Sequence, residues 1–86
     1  MLNIKILGSG CPNCKKLEEE TRKAVEFLSA EAEFEKVKNP REFINYDVMK
    51  TPGLVINGKT VSSGRIPSQS ELMTMLTTAL MEGQDQ

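Results

Sequence analysis

The feature that most constrains this chain is a pair of cysteines, Cys11 and Cys14, spaced as Cys-x-x-Cys in a sequence without histidine. The absence of histidine excludes a Cys-His or Ser-His nucleophile pair and an imidazole base. It also leaves structural zinc short of its usual four cysteine or histidine ligands. As a structural bridge, a disulfide closing so short a loop would stabilise the fold by only about 2 kcal/mol. The pair is therefore predicted to be chemically reactive.

The two cysteines lie between a predicted strand and a predicted helix. Residues 2–7 alternate in the manner of a strand, and a glycine-rich break follows them. Pro12 suits the first position of a helix over residues 12–29, because a proline needs no backbone donor there. Cys11 is then the N-cap residue and Cys14 the third helical residue. The buried stripe of this helix is predicted to comprise Cys14, Leu17, Thr21, Ala24, Val25 and Leu28.

The middle of the chain predicts a second strand and a second helix. Residues 32–37 alternate imperfectly and suit an edge strand. Asn39 then has the side chain of an N-cap residue, and Glu42 can close a capping box, so a short helix is expected over residues 40–47. Its inward-facing residues are predicted to be Phe43, Ile44 and Val48.

The last third of the chain predicts a hairpin and a third helix. Strands at 54–56 and 59–63 flank Asn57-Gly58, a sequence typical of a two-residue hairpin turn. Ser68-Gln69-Ser70-Glu71 forms a capping box, and the helix that it opens is expected to end near Met81. The buried stripe of this helix is predicted to comprise Leu72, Leu76, Ala79 and Leu80.

These elements follow one another in the order β-α-β-α-β-β-α, which predicts an α/β fold. The first two strands should be parallel because a helix crosses between them, and the closing hairpin is antiparallel. A four-stranded mixed sheet with helices on both faces is the economical packing. Residues 1–81 are expected to form one domain, and residues 82–86 a frayed polar tail.

Charge and hydropathy exclude several classes of function. The net charge is −1 with 27% charged residues, whereas a nucleic-acid binder should show a basic excess. No polybasic membrane patch, apolar run of spanning length or signal peptide is evident, so a cytoplasmic protein is expected. The pairs Glu18–Arg22 and Glu19–Lys23 are expected to lie on a solvated face of the first helix.

The position of Cys11 predicts a chemical role. Unpaired N–H groups and the helix dipole at a helix start favour a thiolate, and cysteines there reach a pKa of about 3.5 to 7.5. Lys15 and Lys16 add positive charge, although they are equally well explained as solvated lysines. Cys14, one turn deeper, suits a resolving thiol. The leading hypothesis is a thiol–disulfide oxidoreductase in which Cys11 attacks a protein or small-molecule disulfide and no cofactor or metal takes part.

With these residues, the chain resembles the thioredoxin superfamily. The resemblance rests on the strand before Cys11-Pro12-Asn13-Cys14, on Thr51-Pro52 before a strand, on Asn57-Gly58 and on the C-terminal helix. The compact length is similar to that of its small glutaredoxin-like branch, the archaeal and bacterial redox-active disulfide proteins. The resemblance implies that the Thr51–Pro52 bond is cis and that the Thr51 backbone pairs with an extended substrate segment. Pro12 and Asn13 complete the implied substrate surface.

The resemblance also implies partners, namely a disulfide substrate and an electron donor similar to thioredoxin reductase. A monomer is expected, since nothing in the sequence demands pairing through the exposed edge of the last strand. The chain departs from the thioredoxin pattern at three places. Gly10 stands where thioredoxins carry tryptophan, and Pro12-Asn13 replaces their Gly-Pro. The buried acid of their first strand has no counterpart, since Lys5 is the only charged residue among residues 1–9.

Two other functions use the same cysteines. A copper(I) or mercury chaperone also carries Cys-x-x-Cys between a strand and a helix, because thiolates select soft ions. Its element order is β-α-β-β-α-β and ends in a strand, whereas this chain predicts an additional helix and ends in one. A redox sensor, in which the disulfide acts only as a switch, is the third possibility.

Overall fold

The computed structural model describes residues 2–8, 12–48 and 50–83. Within these residues a four-stranded sheet carries three helices. The elements are β1 (Leu2–Leu7), α1 (Pro12–Phe27), β2 (Ala32–Val37), α2 (Pro40–Phe43), a 3-10 turn (Ile44–Tyr46), β3 (Gly53–Ile56), β4 (Lys59–Ser63) and α3 (Gln69–Gly83). The predicted order β-α-β-α-β-β-α is therefore confirmed.

The sheet is mixed, as the element order predicts. Its strand order is β2-β1-β3-β4, so β2 is the expected edge strand. The strands β1 and β2 run parallel, whereas β3 is antiparallel to both β1 and β4. The turn between β3 and β4 is formed by Asn57 and Gly58, with φ angles of 51° and 82°. These left-handed angles are the ones that the Asn-Gly sequence supports.

The two faces of the sheet are covered by different helices. Alternation along β1 sends Leu2, Ile4 and Ile6 to the face that α1 and α3 cover. Leu7 points to the opposite face, where α2 and the 3-10 turn pack. Gln69 at the start of α3 donates from Nε2 to the backbone oxygen of Glu20, over 2.8 Å, which joins α3 to the middle of α1. Helices on both faces are thus confirmed.

The larger core fills the face under α1 and α3. Its fully or nearly buried members among the described residues are Leu2, Ile4, Ile6, Leu17, Ala24, Val25, Leu54, Ile56, Leu72, Leu76 and Ala79. Most of the predicted helical stripes are in this group. Leu28 and Leu80, which were also predicted, are partly buried and pack against it.

Helix ends differ from the prediction by a few residues. The helix α1 ends at Phe27 rather than Ser29, because Ser29 adopts a left-handed backbone with φ of 52°. The helix α3 continues to Gly83, beyond the expected end near residue 81. Its predicted capping box is confirmed. The Glu71 amide donates to Ser68 Oγ over 3.2 Å, and the Ser68 amide donates to Glu71 Oε1 over 3.3 Å.

The second helix is shorter than predicted. Asn39 caps it as expected, since its Oδ1 accepts from the Arg41 amide over 3.0 Å, but α-helix gives way to the 3-10 turn after Phe43. The inward orientation predicted for Ile44 is wrong, because 76% of this residue is exposed. A 3-10 turn has three residues per turn, so Phe43 and Tyr46 face the sheet and Ile44 faces away. Val48 is buried, as predicted.

Two further predictions concern the ends of the chain and membranes. None of the helices in the described ranges is both long and apolar enough to span a membrane. The tail predicted at residues 82–86 falls largely outside the described residues, which end at Gly83. The cytoplasmic location stays a prediction.

Candidate active site beside Cys14 and Pro52

Cys14 occupies the position that the sequence predicts for it. It is the third residue of α1 and only 6% exposed, on the stripe that continues to Leu17 and Thr21. Pro12 and Asn13 are the first two residues of the helix and are exposed. Cys11 lies outside the described residues, so its N-cap position and its pairing with Cys14 stay predictions. The structure therefore locates the inner of the two cysteines.

Gly8 allows the end of β1 to approach Cys14 closely. A Cβ atom at this position would overlap Cys14 Sγ and would lie 3.3 Å from Cys14 Cβ. The same point is 3.8 Å from the Thr51 Cβ. Gly8 is held there by a 2.9 Å hydrogen bond from its amide to the Val37 oxygen. Cys14 and Thr51 thus flank one glycine, and any larger residue at position 8 would push against the sulfur.

The Thr51–Pro52 bond is cis, which confirms the geometry implied by the resemblance. Pro52 is fully buried and Thr51 is exposed. The Pro52 oxygen accepts a 2.9 Å hydrogen bond from the Gly64 amide, which ties the bend to the end of β4. At Gly53 a Cβ would lie 2.8 Å from a methyl of Val48, so the backbone there also packs closely. The bend is held from both sides, with Thr51 left at the surface.

A pocket of about 110 Å³ adjoins Cys14 on the side of β2. It is lined by Ile6, Gly8, Cys14, Lys15, Glu18, Lys36 and Lys38. Glu18 is the acid nearest in sequence on the face of α1 that carries Cys14, since the two are four residues apart. Its carboxylate lies 3.1 Å from both the Lys36 Nζ and the Arg22 Nε.

The surroundings of Glu18 correct one prediction. The pair with Arg22 is confirmed, but the side chain of Glu18 is only 16% exposed and does not lie on a solvated face. Burial alone would raise its pKa, yet the hydrogen bonds from Lys36 and Arg22 outweigh burial and lower the pKa of Glu18 below its ordinary value. The other predicted pair also differs, because Lys23 lies 3.9 Å from Glu20 rather than pairing with Glu19.

Lys5, the lone charge of the first strand, is on the opposite face of the sheet. Its Nζ donates to the Tyr46 hydroxyl over 2.9 Å and lies 3.3 Å from the Glu35 carboxylate. The Tyr46 hydrogen bond and then Glu35 raise the pKa of Lys5 above its ordinary value. Thr60 donates to the Tyr46 backbone oxygen, so the 3-10 turn is also joined to β4. Tyr46 packs on this face of the sheet and anchors the segment that leads to Thr51.

The sequence identified Cys14, Thr51 and Pro52, and the structure brings Cys14 and Thr51 together at Gly8. The sequence analysis did not identify Gly8, Glu18, Lys36 or Lys38 as site residues. The spacing of Glu18 from Cys14 was the one local signal for these residues. The location of Lys36 and Lys38 at the site follows from the parallel pairing of β2 with β1, which places Lys36 opposite Ile6.

In the described part of the chain, no three cysteine or acidic side chains cluster in a way that could hold a metal ion.

Three features together define the fold class of the thioredoxins. They are a sulfur on the first turn of a helix, a cis-proline bend beside it and a mixed four-stranded sheet. The comparisons with known proteins agree with this class. The sequence profile described as "Thioredoxin domain" matches residues 2–77.

The chain belongs to the thioredoxin family, a family of thiol–disulfide oxidoreductases. It is 38% identical over 77 residues to a thioredoxin of Methanothermobacter thermautotrophicus, which covers 90% of this chain and all of that protein. It is 39% identical over 80 residues to a thioredoxin of Methanocaldococcus jannaschii, covering 93% of this chain and 92% of the relative.

Solved structures of low sequence identity share the fold. A thioredoxin-2 described as a component of malaria parasite protein secretion machinery superposes with a TM-score of 0.66 at 14% identity, covering 91% of this chain and 82% of its own. The germline-specific thioredoxin Deadhead of Drosophila melanogaster superposes with a TM-score of 0.62 at 19% identity, covering 90% and 79%.

Proposed function

We propose that this protein reduces disulfides through a Cys11–Cys14 dithiol, with Cys11 as the nucleophile and Cys14 as the resolving thiol. The observation that carries the proposal is the placement of Cys14 on the first turn of α1, almost buried, beside Gly8 and Thr51. In this proposal Cys11 is the more accessible sulfur, as the sequence predicts for an N-cap residue. Family membership supports the same class of chemistry.

The exchange proceeds in two balanced steps. The Cys11 thiolate attacks one sulfur of the substrate disulfide, a Cys11–substrate bond forms, and the other substrate sulfur leaves as a thiolate. The Cys14 thiolate then attacks the Cys11 sulfur, which releases the second substrate thiolate and leaves a Cys11–Cys14 disulfide. Two electrons pass to the substrate, and an external dithiol, supplied by a reductase similar to thioredoxin reductase, returns them.

Thr51, Pro52, Pro12 and Asn13 form the substrate surface in this proposal. Thr51 is exposed next to the buried Pro52, so its backbone is open to an extended segment that would add to it as a short strand. Pro12 and Asn13 are exposed at the start of α1. No cofactor is required, because both redox groups are protein thiols. We further propose that the protein acts as a cytoplasmic monomer.

Trapping of the mixed disulfide tests the assignment of the two cysteines. Cys14→Ser should accumulate a covalent adduct with a small disulfide probe, visible by intact mass and released by dithiothreitol. Cys11→Ser should form no adduct on the same timescale, and neither variant should turn over catalytically. An adduct on Cys11→Ser with none on Cys14→Ser would reverse the roles, and full turnover by either variant would refute the dithiol mechanism.

Titration of thiolate absorbance against pH tests the physical cause. We expect the wild type to show a thiolate with a pKa well below the ordinary value of about 8.5, since the start of α1 favours the anion. The low titration should disappear in Cys11→Ser and persist in Cys14→Ser. Titration of both sulfurs near the ordinary value would remove the helix-start mechanism while leaving the family assignment in place.

A further inference from the structure

The pocket beside Cys14 has a composition that disulfide exchange does not require. Three of its lining residues are the lysines Lys15, Lys36 and Lys38, whereas Glu18 is its one acid. The whole chain carries a net charge of −1, so this concentration of ammonium groups is local. It comes from two separate elements, the first turn of α1 and the end of β2, which the fold brings to the same side of Cys14.

Two of the three lysines are available to a ligand. Lys36 forms an ion pair with Glu18 over 3.1 Å, and Glu18 forms a second ion pair with Arg22. Arg22 is itself stacked on Phe34, with 4.2 Å between the guanidinium carbon and the ring centre. The carboxylate is therefore already matched by two cations. Lys15 and Lys38 are exposed and form no ion pair with another described residue.

The size and walls of the pocket suit a small anionic group on an aliphatic stem. A volume of about 110 Å³ holds a few water molecules or the end of one short side chain, and excludes an aromatic ring system with its substituents. Buried Ile6 and Gly8 form part of the wall, and each lysine side chain combines an apolar stem with a terminal ammonium group.

We propose that this pocket receives the carboxylate of an aspartate or glutamate that lies close to the reactive cysteine in a disulfide substrate. The inference rests on the proposed disulfide reductase activity and adds the substrate class. With two free ammonium groups for one carboxylate, the local charge beside Cys14 stays positive, so the bound anion does not oppose the Cys14 thiolate. Acidic disulfide substrates should therefore be preferred over neutral and basic ones.

A panel of three matched substrates tests the preference. The substrates are disulfide-linked peptides identical except for Glu, Gln or Lys beside the reactive cysteine, reduced with dithiothreitol as electron source at low ionic strength. We expect kcat/KM to fall in the order Glu, Gln, Lys. The Glu-to-Lys ratio should be about five- to ten-fold and should shrink as salt is raised, because exposed charges are screened.

Charge variants locate the effect in the pocket. Lys38→Gln and Lys15→Gln should each reduce the Glu-to-Lys ratio by about two- to three-fold, and the double variant should bring it close to one. Glu18→Gln should increase the ratio, because it removes the one acid of the lining. Lys23→Gln is the matched control, because it makes the same change in net charge at an exposed position of α1, about 12 Å along the helix from Lys15. This variant should leave the ratio unchanged.

A binding measurement that does not depend on turnover completes the test. Titration with N-acetylglutamate amide should produce saturable NMR shifts at the amides of Gly8, Lys15 and Lys38, which Lys15→Gln/Lys38→Gln abolishes. If the Gln peptide is turned over but the three peptides react equally, the substrate preference is refuted and the reductase activity stands. If no peptide is reduced, the reductase activity is refuted. Saturable shifts would then still support the anion pocket, and their absence would refute it.

Discussion

The two faces of the sheet are filled in different ways. The face under α1 and α3 has an extended apolar core, with eleven buried members among the described residues. The face under α2 has four, Leu7, Val37, Val48 and Val55, and supplements them with polar contacts around Lys5 and Tyr46. Helix α1, which covers the larger core, carries Cys14, whereas the smaller core supports the segment leading to the Thr51–Pro52 bend.

This difference separates two tasks. A helix that presents a reactive sulfur has to be held firmly, and α1 achieves this by burying Leu17, Thr21 and Ala24 completely. The bend has to keep Thr51 at the surface, and it is held by the hydrogen bond from the Gly64 amide to the Pro52 oxygen and by close packing of Val48 against Gly53. Apolar burial dominates in one region, whereas the other combines a smaller apolar core with hydrogen bonds.

The largest expected effect comes from removing one leucine from each face. Leu54 and Leu7 are both fully buried on central strands, Leu54 in the larger core and Leu7 in the smaller. A leucine-to-alanine change in a core costs about 2 to 5 kcal/mol, more where the surroundings cannot close the cavity. We expect Leu54→Ala near the upper end of this range and Leu7→Ala near the lower end, measured by urea denaturation.

Equal losses, or a greater loss for Leu7→Ala, would contradict this account of the two faces. The denaturant slope serves as the control, since an unchanged slope indicates that both variants lose stability rather than change the unfolded state.

The second effect concerns the contact of Gly8 with the sulfur. In Gly8→Ala the new methyl overlaps Cys14 Sγ, and such overpacking costs about 1 to 3 kcal/mol. Because a displacement of about 1 Å at a reacting group can cost a hundred-fold in rate, turnover of a small disulfide should fall by at least about ten-fold. Turnover and urea denaturation measure the two losses.

Gly58→Ala is the control for this change. Its Cβ meets no atom, but the residue has a φ of 82°, so the variant should lose stability without losing turnover. Parallel loss of turnover in both variants would show that instability alone explains the Gly8 result.

A smaller effect is expected from the polar contacts of the α2 face. Tyr46→Phe keeps the ring in the smaller core and removes the hydrogen bond from Lys5. We expect Tm to fall by a few degrees, as for the loss of one partly buried hydrogen bond. If this bond positions the bend, KM for a peptide disulfide should rise while the Cys11 thiolate titration stays as in the wild type. A Tyr46→Phe protein with unchanged Tm and KM would show that this hydrogen bond neither stabilises the fold nor positions the bend.

The smallest effect concerns the loss of thermal stability at low pH, to which Glu71 in the capping box of α3 contributes. Arg65, and then the Ser68 amide, lower the pKa of Glu71 from 4.5 to about 2. A carboxyl with a lowered folded-state pKa stabilises the fold above its ordinary pKa, and this contribution is lost as pH falls from about 4.5 towards 2. Glu71→Gln should reduce the loss of Tm over this range, because glutamine does not titrate. The same acid sensitivity in both proteins would assign it to other carboxyls.

Local sequence signals predicted most of the elements because each depends on neighbours in the chain. Asn57-Gly58 tolerates left-handed angles, Ser68 and Glu71 satisfy each other's amides, and Pro12 fits a first turn. Where prediction was wrong, the outcome depended on distant residues. Ile44 turned outward because Phe43 and Tyr46 both pack on the sheet, and Glu18 is partly buried where Lys36 from β2 pairs with it.

Spacing alone placed Cys14 on the inner side of a first helical turn, since 3.6 residues per turn set it in line with Leu17 and Thr21. The pocket beside it could not be read in this way. Lys15 and Lys38 lie 23 positions apart in the chain, and only the parallel pairing of β1 with β2 brings the end of β2 to the start of α1. Periodicity acts over a few residues, whereas a charged pocket is assembled by strand register.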